Sequence, residues 1–122
     1  ANVIIALIEG DDAMRERLRS KALGTGEALM TSRLSRVECR CAPMRTSNVK
    51  LLALYDSFFD REDIKVVSVS DEILEMATEL RAKSGLKTPD AIHVATAVTA
   101  GASKFITGDR RIRSSRIKIE LL

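Results

Sequence analysis

Three carboxylates set the chemistry that this sequence can support. Asp90 lies in Lys87-Thr88-Pro89-Asp90-Ala91-Ile92-His93-Val94-Ala95-Thr96-Ala97, Asp109 closes Phe105-Ile106-Thr107-Gly108-Asp109, and Glu38 ends Thr31-Ser32-Arg33-Leu34-Ser35-Arg36-Val37-Glu38. Like charges at close range repel unless a cation neutralises them or one is protonated. An all-oxygen set of this kind suits Mg²⁺ or Mn²⁺ rather than zinc. A cation so held activates water and stabilises the charge that develops on a phosphodiester under in-line attack. Each acid also has an ordinary reading. Asp90 fits a helix-dipole acid, Asp109 after a glycine fits a turn, and Glu38 fits a surface residue that pairs with Arg33 or Arg45 or is solvated. His93, three residues after Asp90, reads first as a packing or hydrogen-bonding residue and second as a catalytic one. Only convergence of the three acids makes a metal site of them.

The elements around the acids supply that convergence. Thr88 reads as an N-cap, Pro89 as the first helical residue and Asp90 as a first-turn acid. Ile92, Ala95, Thr96 and Thr99 continue a helical stripe, and Gly101 ends it. From Asp90 to Gly101 the helix rises roughly 16 Å at about 1.5 Å per residue. The strand expected over residues 104–107 returns, so Asp109 comes back to the level of Asp90 at the carboxyl edge of a sheet. Glu38 falls in the second turn of a helix that follows a short strand at 28–30, is capped by Thr31 or Ser32 and runs to about residue 45. Helical side chains lean toward the N-terminus, which helps Glu38 reach the same edge. Leu34, Val37 and Cys41 are the expected buried stripe of that helix.

Further helices are expected at 2–8, at 11–23 with Met14, Leu18 and Leu23 inward, and at 48–59 with Val49, Leu52, Tyr55 and Phe59 at helical spacing. A β-branched strand at 64–69 leads to Ser70, which caps a helix over 71–84 carrying Ile73, Leu74, Ala77 and Leu80 inward. The alternation at 117–121 reads as a last strand, open on one face. Gly24-Thr25-Gly26 lacks the third glycine of a dinucleotide loop and reads as a turn. Strands alternating with helices predict an α/β protein, a mostly parallel sheet covered on both sides.

At 122 residues the chain reads as one domain over 1–122. Its formal net charge is +3, with basic residues bunched at Arg33, Arg36, Arg40 and Arg45 and again at Lys104, Arg110, Arg111, Arg113, Arg116 and Lys118. Such bunching is the footprint of phosphate contacts, although solvated faces produce it too. With three Phe, one Tyr and no Trp, base stacking is a poor route to nucleic acid, and any RNA contact must lean on phosphates and shape. Cys39 and Cys41, with one distant histidine, make a poor zinc set and read as reduced, partly buried thiols. The longest apolar run is far too short to span a membrane, so no membrane association and a cytoplasmic location are expected.

The three quoted segments resemble, in order and spacing, the motifs of PIN-domain proteins, and the middle one is similar to the VapC-like toxins of bacterial and archaeal toxin–antitoxin systems. The resemblance implies a three-layer α/β/α PIN-like fold and a ribonuclease dependent on Mg²⁺ or Mn²⁺. It further implies a homodimer held inactive by a small VapB-like antitoxin. Glu38, Asp90 and Asp109 match the second, third and fourth acids of the family site, while Asn2 and Thr107 match supporting polar positions. Arg33, Arg110 and Arg111 would then meet RNA backbone, and residues 51–59 the dimer or antitoxin contact.

One departure stands out. The family's first strand ends in an aspartate that would fall just ahead of Ala1-Asn2, so the strand and the first acid are expected to lie upstream of this sequence. If that acid is absent, the alternative is a non-catalytic PIN-like module that binds RNA or protein. A phosphoacceptor domain of the receiver type ranks lower, because Lys104 precedes its strand where that chemistry needs a lysine after one.

Overall fold

The computed structural model describes residues 2–23 and 28–122, with Ala22 and Leu23 described by backbone alone. The Gly24 turn and an inward Leu23 lie outside the described residues. In chain order the elements are α1 (Asn2–Glu9), α2 (Asp12–Leu18) running into a π-helical turn (Arg19–Leu23), β1 (Leu29–Ser32), α3 (Leu34–Arg45), α4 (Val49–Phe59), β2 (Ile64–Val67), α5 (Asp71–Ser84), α6 (Thr88–Thr99), β3 (Lys104–Thr107) and β4 (Lys118–Leu121).

Local chemistry explains most of the boundaries. Asp11, Asn48 and Ser70 each accept a backbone N–H three residues on, from Met14 at 2.8 Å, Leu51 at 3.1 Å and Ile73 at 3.2 Å. Gly85 closes α5 at φ 69°, a conformation that glycine adopts without steric cost. Two starts differ from expectation. Thr88 is already helical and Lys87 caps α6 with extended backbone and no side-chain bond, so the proline beside it sets the start. Thr31 and Ser32 belong to β1, which is longer than expected, and the Ser32 hydroxyl accepts the Leu34 N–H at 3.1 Å.

All strand pairing is parallel, but the described strands make two pairs rather than one continuous sheet. Leu29 to Ser32 pair with Ile64 to Val67, and Lys104 to Thr107 pair with Lys118 to Leu121. The apolar core is divided in the same way. One cluster joins Ile4, Cys39, Tyr55, Phe58, Phe59 and Ile64; the other gathers Ile73, Leu80, Leu86, Val94, Ile112 and Ile117 around α5 and α6. α6 packs against both β1 and β3, and so bridges the halves.

The inward face of α3 is not the expected stripe. Ser35, Cys39 and Pro43 are buried, whereas Val37 is 65% exposed and Cys41 is exposed. The i, i+4, i+8 face is chosen by contact with α4 and β1, where small side chains permit close approach, and Val37 and Cys41 lie two residues out of phase with it. Val49 and Leu74 are likewise exposed, at the outer faces of α4 and α5. Arg36 and Arg40 both pair with Asp56, at 3.3 and 2.9 Å, and tie α3 to α4.

The two thiols differ in environment. Burial pushes Cys39 up to about 11, so it is not a thiolate at neutral pH. A disulfide reagent at pH 8 is expected to modify Cys41 rapidly and Cys39 only on unfolding; two equal fast phases in a thiol-release assay would contradict this burial.

Among the described residues no helix is long and apolar enough to cross a membrane.

Candidate active site

The carboxyl ends of β1 and β3 feed the site. Thr107, the last residue of β3, is 1% exposed, and its hydroxyl is a meeting point. It accepts from Asn2 Nδ2 at 3.3 Å and from the Asp109 backbone N–H at 3.1 Å. Asn2 Oδ1 accepts the Gly108 N–H at 3.3 Å, which stitches the start of α1 to the end of β3. Asn2 and Thr107 are thus brought into direct contact.

Asp109 folds back onto the loop that follows it. Its Oδ1 accepts from the Arg111 backbone N–H at 2.9 Å and from Arg111 Nε at 3.0 Å, and its Oδ2 accepts from an Arg111 terminal nitrogen at 2.9 Å. This bidentate, charge-assisted grip lowers the Asp109 carboxyl to about 2, with Arg111 the main cause and Lys87 a lesser one. Asp90, in the first turn of α6, lines the same cavity as Asn2, His93 and Thr107. A group with a depressed folded pKa contributes stability above its unfolded value, here near 3.8, and loses it as pH falls toward 2. NMR titration of Asp109 is expected to give a midpoint of about 2, and Arg111→Ala to return it to the ordinary carboxylate range. A midpoint unmoved by that substitution would contradict the assigned cause.

Glu38 reaches α6 at the next turn after Asp90. Its carboxylate accepts from Nε2 of His93, whose ring is buried. That hydrogen bond lowers the Glu38 carboxyl; partial burial opposes the shift, and the charge on His93 assists it. Behind them the hydroxyls of Thr31 and Ser35 lie 2.7 Å apart and fasten β1 to the first turn of α3.

Two of the three acids are therefore engaged by different partners, Asp109 by Arg111 and Glu38 by His93. Among the described residues no three ligating side chains are close enough to form a metal cluster. Of the basic candidates, Arg111 is committed to Asp109, whereas Arg33 and Arg110 are exposed. His93 and Arg111 are the partners that the sequence reading did not assign. Their signals were the three-residue spacing from Asp90 to His93, which puts both on one helix face, and the Asp-x-Arg step after a glycine, which suits a side chain bonding its own backbone two residues on.

Over residues 1–117 the sequence matches the family described as PIN domain. The chain belongs to the PIN-domain family. This PIN domain is also similar in structure to a solved toxin-antitoxin complex from Klebsiella pneumoniae, with a TM-score of 0.66 and 21% sequence identity. That likeness covers 88% of this chain and 82% of the other, and at such identity it speaks for the fold. No curated protein sequence matches the chain.

PIN domains in general use divalent metals. The donors in this PIN domain fit such an ion in kind: all are carboxylate oxygens, and one of them, Asp109, already holds a positive charge, that of Arg111. Arg111 already engages both Asp109 oxygens, whereas His93 engages Glu38 through Oε1.

Proposed function

We propose that this PIN domain is a Mg²⁺- or Mn²⁺-dependent endoribonuclease, the toxin of a toxin–antitoxin pair. The observation that carries the reading is the cavity at the carboxyl edge of β3 that Asp90 lines together with Asn2, His93 and Thr107, where the Thr107 hydroxyl joins Asn2 to the backbone of Asp109. Within a family of nucleases, that edge is a place to hold positive charge against a phosphodiester.

Asp90 and Asp109 would hold the metal, with Glu38 as a third ligand or as the group that orients the attacking water. A bound divalent cation would lower the pKa of that water and neutralise charge on the phosphodiester. His93 fixes the Glu38 carboxylate on α6, and the Thr107 hydroxyl fixes the backbone of Asp109. Arg33 and Arg110, exposed at the starts of their segments, would meet RNA phosphates. A small VapB-like antitoxin is the proposed inhibitor, in a cytoplasmic homodimer. Within 51–59 the core takes Tyr55, Phe58 and Phe59, which leaves Leu54, 55% exposed, for a partner contact.

The grip of Arg111 on Asp109 favours a second reading, a PIN-like RNA- or protein-binding module that uses no metal. A structured RNA mixed with the purified protein and Mn²⁺ separates the two. The nuclease reading expects cleavage that stops with chelator and with Asp109→Asn. Metal-independent RNA affinity, unchanged in Glu38→Gln and without cleavage, would establish the binding module instead.

A further inference from the structure

We propose that Arg111 is an exchangeable cation built into this edge: its guanidinium closes Asp109 when no divalent ion is bound, and turns to a phosphate of the substrate when one is. The inference rests on the nuclease reading and deepens it. The bonds to Asp109 separate into a fixed set and a removable one. The Asp109 N–H donates to the Thr107 hydroxyl at 3.1 Å, its carbonyl accepts the Ile112 N–H at 3.3 Å, and its Oδ1 accepts the Arg111 backbone N–H at 2.9 Å. Thr107 and Ile112 are both buried, so the turn between them is pinned at each end. These contacts need only backbone at position 111 and stay whatever side chain stands there. The guanidinium adds Nε to Oδ1 at 3.0 Å and a terminal nitrogen to Oδ2 at 2.9 Å. Each carboxylate oxygen offers two lone pairs, so both on Oδ1 are taken and Oδ2 keeps one.

Moving the guanidinium costs little, whereas holding a divalent ion beside it costs more. The Arg111 side chain is 78% exposed, and an exposed ion pair shifts an equilibrium constant by no more than about fivefold. A divalent ion on Oδ2 would stand next to a like charge held on the same carboxylate, and would find a second open lone pair once that charge has left. The released guanidinium stays at the site, because the pinned turn keeps position 111 just beyond the end of β3, beside the exposed Arg110. Its planar fork fits phosphate oxygens as well as it fits a carboxylate, so a phosphodiester is the ligand that competes with Asp109 for it. The two sites are thereby coupled: whatever takes Asp109 frees Arg111, and whatever takes Arg111 frees Asp109.

Calorimetry of Mn²⁺ binding to the purified chain, alone and with a short RNA whose linkages are phosphorothioate, tests the exchange without relying on cleavage. Arg111→Ala is expected to tighten Mn²⁺ binding in the absence of RNA by about three- to tenfold, and Arg111→Lys, a point charge without the fork, to fall between it and the wild type. The gain in Mn²⁺ affinity on adding the RNA should be larger in the wild type than in Arg111→Ala by at least about threefold. Arg110→Ala removes an equal charge one residue away that makes no bond to Asp109 among the described residues, and should move the RNA-free affinity by less than about twofold. Circular-dichroism melts of these exposed substitutions are expected to stay within about 3 °C of the wild type; if Arg111→Ala alone melts lower, Arg111→Lys decides by the same two comparisons. Equal or weaker Mn²⁺ binding in Arg111→Ala, an equal gain from RNA in both chains, or an Arg110→Ala effect as large as that of Arg111→Ala would overturn the exchange and leave the nuclease reading standing. Mn²⁺ binding by neither the wild type nor any variant would remove the metal from the nuclease reading, and the exchange with it.

Discussion

Asp90→Asn is expected to lower Mn²⁺-dependent RNA cleavage by about 10²–10³-fold, the cost of removing one preorganised electrostatic group from a transition state. The substitution keeps the shape of the side chain and deletes its charge. Asp90 occupies the first turn of α6, where a carboxylate gains from the helix dipole by about 0.3–1 kcal/mol. The structural cost is therefore small, a Tm decrease of about 2–4 °C for a domain of this size. Cleavage gels beside circular-dichroism melts distinguish the two effects. Cleavage within about threefold of wild type would remove Asp90 from the chemistry and, with it, the reason to read this edge as a nuclease site. Parallel loss of activity and of the cooperative melt would instead mark Asp90 as a folding residue.

Tyr55→Ala should be the most damaging change to stability, with about 3–5 kcal/mol lost and a Tm lower by roughly 10–20 °C. Tyr55 is fully buried at the centre of the cluster formed by Ile4, Cys39, Phe58, Phe59 and Ile64. Its hydroxyl donates to the Glu9 carboxylate, so truncation both opens a cavity and removes that hydrogen bond. Burial first and Glu9 second hold the phenol far above its ordinary range, so the contact persists through alkaline pH. Tyr55→Phe keeps the ring and removes only the bond, at about 1–2 kcal/mol. Chemical denaturation of the two variants separates packing from hydrogen bonding. Equal losses would mean that the Glu9 contact dominates. The consequence for the site runs through α1, because Glu9 ends the helix whose first residue, Asn2, is bonded to Thr107.

Much of this was legible locally, because helix starts, helix ends and strand runs are properties of a few adjacent residues. Ser70 and Gly85 bracket α5 by capping chemistry alone, and β3 follows from Phe105 and Ile106 after the turn that ends α6. The α3 face was not legible. Its buried positions are a serine, a cysteine and a proline, selected by how closely α4 and β1 approach, while the more apolar Val37 is turned outward. Hydrophobic patterning reads which residues prefer to leave water; it does not read which face a neighbour covers.

The site divides along the same line. Residue types and order by themselves determined that this chain carries an α/β fold of the PIN family, because motif spacing and strand–helix alternation are written along the chain. Only the tertiary structure decided that Arg111 closes on Asp109, that His93 takes Glu38, and that the described strands form two parallel pairs. His93 and Glu38 are 55 residues apart in sequence, and their meeting depends on how α3 and α6 lie against each other. A contact of that kind is a result of packing, and no local pattern encodes it.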